Sequence, residues 1–541
     1  MAWQVKYIIH PLIWIGVVAI LSTVIVSSHS IQISEMAYQK WWLSRAVIVF
    51  VVCTLLSFSA DKKGNVFYLS VVWSLILLGG MEAIWGIRQI YGLSSSNHSL
   101  YSLTGSFYNP GPYSGYLAMV FPVCLSEWLN LRKNKQRSWL EHGKYYVSLG
   151  VLLLILCVLP AGLSRSAWMA AIIAGVFVYG MHQSWKSRLK KWGMLHRKKM
   201  IAVIAVGGVA LIMVGCALFY LKADSARGRL LMWKISTMAI AENPWLGHGH
   251  DNFIQAYGTA QENYFAGKDY TANEEYVAGS PEYAFNEYLQ VAVEHGVLFL
   301  VVVLLIIGFC LWKGVTEQRI GVCGGVISVL VFAFSSYPMQ IPGFAIAFYC
   351  LLAACVVGRS RMPILLFTVI IALLGTYYWK HNQYDACKKW YGAKMLYNVG
   401  AFQVAKEDYE KLYPELNDRG TFLFEYGHSL HKLKEYKCSA EILEEALKVS
   451  NNSMILNVIG KNYQELGEYA KAEEWLIRST HRLPGRIYPY YLLAKLYADP
   501  GFNQPEKLKH VVEVVLTKEP KVQSTAVKEM REEVKKLIDK R

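Results

Sequence analysis

Apolar stretches long enough to cross a lipid bilayer recur through the first 380 residues and constrain the fold more than any other feature. A transmembrane helix needs about 20 predominantly apolar residues, because it must cross about 30 Å of hydrocarbon. The chain has 541 residues, of which 54% are hydrophobic, so an ordinary soluble fold is excluded. We predict a polytopic helical bundle of about eleven spans, at roughly 8–27, 42–59, 66–86, 113–130, 146–162, 166–183, 201–221, 289–312, 320–336, 342–358 and 363–379. No small-residue cleavage site follows the first span, so we expect it to be retained.

Basic residues concentrate in every second loop between these predicted spans. The clusters fall at 62–63, 132–144, 186–199, 313–319 and 359–361. The positive-inside rule places these loops in the cytoplasm, together with the N-terminus. The large loop 222–288 and the C-terminal tail then lie on the outer side. The formal net charge of +16 is thus mainly a topology signal. We expect no nucleic-acid partner, because the lysines flank spans instead of forming one face.

After Tyr378 the sequence becomes rich in charged residues, and its pattern predicts amphipathic helices with an internal repeat. Gly427, Gly460 and Ala494 fall in step at spacings of 33 and 34 residues. This period is typical of tetratricopeptide repeats, whose helix pairs stack because none can bury its apolar face alone. We therefore predict a membrane domain at 1–380 and a soluble α-solenoid of about three to four repeats at 385–541. The repeats would serve either as a rigid spacer or self-association surface, or as a groove for a peptide or protein.

Three arginines lie near the predicted outer membrane surface. Arg88 is either an anchor that reaches the interface or a ligand for an anionic headgroup. Arg165 lies in the apolar segment AGLSRSAWMA, where an unpaired charge is costly, so it is a functional candidate. Arg229 lies at the start of the large loop. Two guanidinium groups can bind a pyrophosphate through paired hydrogen bonds, and neither loses its charge.

The loop 222–288 is rich in arginine, aromatic, amide and carboxylate side chains, which favours an active-site lid over a simple connector. Its candidate binding residues include Trp233 and Glu282. A second polar loop contributes Asn109, in a turn that leads directly into the fourth span.

Several other polar residues have both a functional and a structural interpretation. Asn286 and Glu287 precede the eighth span, where the asparagine could also be an ordinary helix cap. His248 and His250, beside Asp251, are a weak metal signal, and from them we expect no bound metal.

Four segments together resemble the O-antigen ligase superfamily, which comprises O-antigen ligases, O-antigen polymerases and bacterial protein O-oligosaccharyltransferases. They are GSFYNPGPYSGYLAM, LSRSAWMA, GRLLMWKISTMAIAENPWLGHGHDNF and AFNEYLQVAVEHGVLFL, within residues 66 to 360. The resemblance implies a membrane glycosyltransferase of GT-C type in the bacterial cytoplasmic membrane. It would move a glycan from undecaprenyl pyrophosphate to a lipid A core or a protein hydroxyl on the periplasmic face. The resemblance implies no cofactor and no metal.

The resemblance also implies roles for individual residues. Arg165 and Arg229 match basic residues thought to hold the lipid pyrophosphate. Many relatives carry a histidine before the asparagine that matches Asn286, but this chain has Phe285 there. His250, Glu282 and Glu287 are alternatives for activating the acceptor. The predicted catalytic residues are therefore Arg165, Arg229, Asn286, Glu287 and His250, and the predicted substrate-binding residues are Arg88, Asn109, Trp233 and Glu282.

Three other functions remain open at this point. The repeat tail favours a ligase or a protein transferase over a polymerase of the same superfamily. A polysaccharide transporter would more often show broken helices or inverted repeats. A non-catalytic scaffold would explain the repeats but not the polar cluster of the loop.

Overall fold

The computed structural model describes residues 2–26, 35–60, 65–134, 136–185, 223–267, 269–358, 362–380, 383–521 and 523–539. Within these ranges the secondary structure is helical and no strand is present, as the all-α prediction requires. The predicted span 201–221 and the basic loops 62–63, 186–199 and 359–361 lie outside the described residues.

The first 380 residues contribute helices of very different length. They are α1 (Ala2–Leu21), α2 (Thr23–Val26), α3 (Glu35–Ala60), α4 (Asn65–Ile90), α5 (Pro110–Lys133), α6 (Trp139–Val158), α7 (Arg165–His182), α8 (Ala223–Glu242), α9 (Phe253–Ala266), α10 (Ala272–Val277), α11 (Glu287–Thr316), α12 (Ile320–Ala333), α13 (Pro342–Val356) and α14 (Met362–Lys380). A 3-10 turn, Pro338–Gln340, precedes α13.

The tail adds nine shorter helices in its described part. They are α15 (Tyr384–Asn398), α16 (Phe402–Leu416), α17 (Gly420–Lys432), α18 (Tyr436–Val449), α19 (Ser453–Glu465), α20 (Tyr469–Arg482), α21 (Ile487–Ala498), α22 (Pro505–Thr517) and α23 (Thr525–Asp539).

Four of the described helical segments are long and apolar enough to cross a membrane: Ile8–Ile25, Asn65–Ile90, Trp139–Val158 and Glu287–Thr316. Shorter apolar helices cover Trp41–Ser57, Ile320–Ala333, Pro342–Val356 and Ile364–Thr376. Every predicted span that falls within the described residues overlaps a helix, although the spans 146–162 and 320–336 extend past helix ends at Val158 and Ala333. How many of these helices cross the bilayer stays a prediction.

The chain divides into two compact units. The first comprises Met1–Leu221, Phe285–Tyr288 and Val301–Tyr384. The second comprises Lys222–Ala284, Leu289–Leu300 and Asp385–Arg541. The segment interpreted from sequence as a polar lid is therefore largely helical and shares a unit with the tail.

Close helix packing and buried hydrogen bonds organise the first unit. A Cβ at Gly79 of α4 would lie 2.6 Å from Val120 of α5, so only glycine permits this approach. The loop before α5 is held to α4 by Gln89, whose Oε1 accepts from the backbone N–H groups of Thr104, at 2.9 Å, and Gly105, at 2.7 Å. These contacts fix the start of α5.

The tail helices of the second unit pack as repeating hairpins. A Cβ at Gly427 would lie 2.6 Å from Leu443, and a Cβ at Gly460 would lie 2.7 Å from Leu476. The two contacts are related by 33 residues, which is the spacing found in the sequence. The same close approach thus recurs from one hairpin to the next, and their assignment as tetratricopeptide repeats stays a prediction.

Helix α9, from the segment between the membrane helices, packs on the hairpins α18 to α20 within the second unit. Glu262 accepts a hydrogen bond from Arg478 Nε at 2.6 Å and another from Asn451 Nδ2 at 2.7 Å. Gln261 donates to the carbonyl oxygen of Arg482 at 2.7 Å. A Cβ at Gly258 would lie 2.5 Å from the Asn451 carbonyl oxygen, so the backbones are in close contact. The two hydrogen bonds to the Glu262 carboxylate are charge-assisted, and such bonds are stronger than neutral ones.

The unfolding of the repeats is expected to depend on pH through His428. Its Nδ1 lies 2.8 Å from the Tyr397 hydroxyl, and burial, with Lys432 and His431 nearby, lowers its pKa to about 4. The unfolded histidine, with a pKa near 6.5, binds a proton more readily. The contribution of His428 to stability is therefore present in full above that pH, and it decreases as the pH falls toward about 4. From pH 7 to pH 5.5 we expect the free energy of unfolding to fall by about 1 kcal/mol, after allowance for partial exposure.

Hydrogen exchange of peptides from α17 and α19 in the full chain, corrected for intrinsic rates, measures this loss. His428→Gln should reduce the pH dependence, whereas His510→Gln, at an exposed position, should leave it unchanged. An identical pH dependence in His428→Gln and the unmodified chain would contradict the assignment.

Candidate functional site

Arg165 begins α7, and the turn before it is tightly constrained. Trp168 Nε1 donates to the Leu159 carbonyl oxygen at 2.8 Å, and Leu163 adopts φ 45°. A Cβ at Gly162 would lie 3.3 Å from Ser114 Cβ, so the turn packs against the first turns of α5. Arg165 is half-buried at a helix N-terminus, where backbone N–H groups add positive potential. This environment favours an anion.

The other candidates near α4 and α5 have simpler surroundings. Asn109 caps α5, and its Oδ1 accepts from the Gly111 N–H at 2.9 Å. Arg88 is exposed in the last turn of α4. The structure thus gives Asn109 a structural role, and substrate binding by either residue stays a prediction.

Phe285, Asn286 and Glu287 form the entry to α11. Phe285 has φ 49°, which is uncommon for an aromatic residue, and its ring contacts Tyr337 with centroids 5.1 Å apart. Asn286 Oδ1 accepts from the Tyr288 N–H at 3.0 Å, which is the capping role. The buried Glu287 carboxylate accepts from the Met339 N–H at 2.7 Å, and so it holds the 3-10 turn.

The remaining predicted residues belong to the second unit. Arg229 and Trp233 lie four residues apart on α8, so they share one face of that helix, and both are half-buried. Glu282 is exposed. Arg165 and Arg229 therefore lie in different units.

Helix α11 is interrupted at Gly296, with φ 82° and ψ 165°, and the loop after α8 fills the interruption. The Val297 N–H donates to the Pro244 carbonyl oxygen at 2.8 Å. The N–H groups of His248 and Gly249 donate to the carbonyl oxygens of Val293, at 2.8 Å, and Glu294, at 2.9 Å. The loop therefore satisfies backbone groups that the kink leaves without helical partners.

The kink brings His250, Glu294 and His295 together. His250 Nδ1 and His295 Nε2 each lie 3.9 Å from Glu294 Oε2. The two imidazole rings stack with centroids 5.4 Å apart. His248 does not join them, because its Nε2 lies 2.8 Å from the Ala239 carbonyl oxygen.

Glu294 and His295 do not stand out in the sequence, because they lie within the predicted apolar span 289–312. The signal that could have found them is an adjacent acid and imidazole within that span, where ionisable residues are rare and usually functional. The loop that brings His250 to these side chains is bound at a kink that depends on Gly296, and a hydropathy pattern does not reveal such a kink.

Gly296→Ala is expected to destabilise the second unit, because the backbone at φ 82° excludes an L side chain. The added Cβ would also lie 2.8 Å from the Leu246 nitrogen. We expect a loss of about 1–3 kcal/mol, measured as a lower thermal unfolding midpoint in detergent. Gly308→Ala is the matched control in the same helix, because a Cβ there meets no atom within 4 Å. Equal midpoints for the two variants would contradict a required kink.

Comparison with known proteins bears on the segment that carries most of these residues. Residues 150–304 match a family model described as O-antigen ligase. No curated protein and no solved structure matches the chain. The matched segment includes Arg165, Arg229, His250 and Glu287 and excludes Arg88 and Asn109. Together with the apolar helices, the match supports an integral membrane protein related to the O-antigen ligase superfamily, whose members are glycosyltransferase-like enzymes.

Proposed function

We propose that this chain transfers a glycan from undecaprenyl pyrophosphate to an acceptor hydroxyl on the periplasmic face of the bacterial cytoplasmic membrane. The observation that carries the proposal is the O-antigen ligase match over 150–304, which contains both Arg165 and Arg229. The acceptor is a lipid A core, as in an O-antigen ligase, or a protein hydroxyl, as in a protein O-oligosaccharyltransferase.

The donor half of the reaction depends on the two arginines. When the acceptor oxygen attacks the anomeric carbon, the bond between that carbon and the phosphate oxygen breaks and undecaprenyl pyrophosphate leaves. Negative charge grows on the leaving group in the transition state. Arg165 and Arg229 neutralise this charge with bidentate hydrogen bonds, which provides electrostatic stabilisation of the transition state. The N-terminus of α7 supports the same role for Arg165.

The acceptor half requires a group that receives the hydroxyl proton. Asn286 and Glu287 are occupied by their capping and turn-holding hydrogen bonds, and Glu282 is exposed. His250 lies beside Asp251, with Nε2 3.4 Å from Oδ1. This carboxylate can orient the ring so that the Nδ1 lone pair accepts the proton. We therefore place His250 first among the acceptor-side candidates, and we propose that Trp233 contacts the sugar.

The membrane topology belongs to the same proposal. The distribution of lysine and arginine supports a cytoplasmic N-terminus, with the segment 222–288 and the repeats 385–541 in the periplasm. The repeats would then present their helices to a periplasmic protein partner.

Glycan profiling of a deletion strain tests the function and separates the acceptors. Loss of polymer from lipopolysaccharide would indicate a ligase, and unglycosylated periplasmic proteins would indicate a protein transferase. Single repeat units in place of polymer would indicate the polymerase alternative. Unchanged glycans, combined with no transfer by the purified chain from a lipid-linked donor, would overturn the proposal.

A further inference from the structure

We propose that His250, Glu294 and His295 form a binding site for one divalent transition-metal ion of the Zn²⁺ class. The inference rests on the geometry of the second unit and does not depend on the proposed transferase activity. The sequence prediction of no metal considered His248, His250 and Asp251 only. The structure removes His248 from the set and adds Glu294 and His295.

The three side chains converge on a gap that suits a cation better than direct hydrogen bonds. Their ligand atoms lie within 4.8 Å of one another. Both imidazole nitrogens lie 3.9 Å from the same Glu294 oxygen, which exceeds a normal hydrogen-bond length. Ligands bound tetrahedrally at about 2.0–2.1 Å from Zn²⁺ stand about 3.3–3.4 Å apart. If each ligand atom moved by roughly half an ångström, the three atoms would reach these separations.

Neighbouring groups hold the proposed ligands in suitable orientations. Glu294 Oε1 accepts from Gln290 Nε2 at 2.7 Å, so its other oxygen, Oε2, faces the imidazoles. His250 Nε2 lies 3.4 Å from Asp251 Oδ1, and the negative charge of this carboxylate favours a proton on Nε2 and a lone pair on Nδ1. A carboxylate behind a ligating histidine is a common second partner in metal sites, where it fixes the tautomer and raises the basicity of the ligand.

The donor set selects the class of ion. Two neutral imidazoles and one carboxylate suit Zn²⁺ and its neighbours among the transition metals. Mg²⁺ and Ca²⁺ prefer six or more oxygen ligands and are therefore disfavoured. Glu294 is buried, whereas the imidazoles are 30% and 32% exposed, so the site opens to the surface of the protein. Three protein ligands leave a fourth position for water or another small ligand.

A bound ion would join two segments that already share backbone hydrogen bonds. His250 lies just after the loop that fills the kink, and Glu294 and His295 lie immediately before Gly296. The ion would therefore link the loop to α11 through coordination bonds. It would also use the His250 lone pair that proton acceptance needs, so the bound ion and the proton would exclude each other.

Metal titration of the full-length chain tests the site without any glycan donor. The tag-free chain, stripped of metal in detergent, is titrated with Zn²⁺ by calorimetry and with Co²⁺ by visible absorption. We expect one saturable equivalent, tetrahedral Co²⁺ bands and a higher unfolding midpoint with Zn²⁺. Glu294→Gln and His295→Gln should each weaken binding by about 100-fold, and Asp251→Asn by about 10-fold.

His510→Gln is the matched control, because this exposed histidine lies on α22 and should leave the affinity unchanged. The unfolding midpoint of each metal-free variant shows whether it remains folded. Absence of a saturable equivalent in the unmodified chain would overturn the proposal, as would equal affinities for the cluster variants and the control. Because these readouts need no donor, failure of the metal site and failure of the transferase proposal are distinguishable.

Discussion

Replacement of Arg165 or Arg229 by alanine is expected to lower glycan transfer from a purified lipid-linked donor by about 10²–10³-fold. In the proposed mechanism each guanidinium stabilises charge that develops on the leaving undecaprenyl pyrophosphate, so its loss should appear mainly in kcat. Lysine at either position should retain part of the activity, because it restores the charge but not the bidentate geometry. The measurement is steady-state transfer to the acceptor identified by glycan profiling.

Arg88→Ala is the comparison variant for these replacements, because Arg88 is predicted to bind substrate and to take no part in catalysis. Arg88 is exposed at the end of α4 and lies outside the matched segment. We expect it to change KM for the lipid donor by no more than a few-fold. Unchanged turnover in both Arg165→Ala and Arg229→Ala would reject the pyrophosphate clamp, even if deletion of the whole chain alters the glycans.

Arg482→Ala is expected to destabilise the second unit by about 3–5 kcal/mol. The side chain is buried, and its Nε donates to the Asn451 carbonyl oxygen at 2.8 Å while Nη1 donates to Gly279 at 3.4 Å. Burial lowers the pKa of this guanidinium to about 10, so it stays charged near neutral pH. Alanine would leave both carbonyl groups without this donor and create a cavity.

Thermal unfolding in detergent and hydrogen exchange of the α9 peptide measure the effect of Arg482→Ala. Arg486→Ala, at an exposed position four residues later, should change stability by less than about 0.5 kcal/mol. Protected α9 amides in Arg482→Ala would contradict a structural role for this residue.

The helices of this fold were predictable because their determinants are local. Apolar runs located the membrane helices, and the spacing of Gly427 and Gly460 located hairpins that the structure packs in the same way. The packing of α9 on the repeats was not predictable. Gln261 and Arg482 are separated by 221 residues, and the hydrogen bond between them leaves no periodic signal in the sequence.

The candidate site was predictable only in part for the same reason. Arg165 and Arg229 stand out because they are charges at the ends of apolar segments. Glu294 and His295 became candidates only because the loop bound at the Gly296 kink brings His250 beside them. A backbone conformation of this kind is set by tertiary contacts with the loop, and a single sequence does not reveal it.

The docking of α9 on α18 to α20 changes how truncations of this chain should be interpreted. Removal of the residues from 385 onward would take away Arg478 and Asn451 and leave Glu262 without its hydrogen-bond donors. A phenotype of such a truncation would therefore combine the loss of any function of the repeats with damage to the segment that carries Arg229 and His250. Under the proposed function, a partner that binds the repeats would have a direct way to influence glycan transfer, because the repeats and these two residues belong to one compact unit.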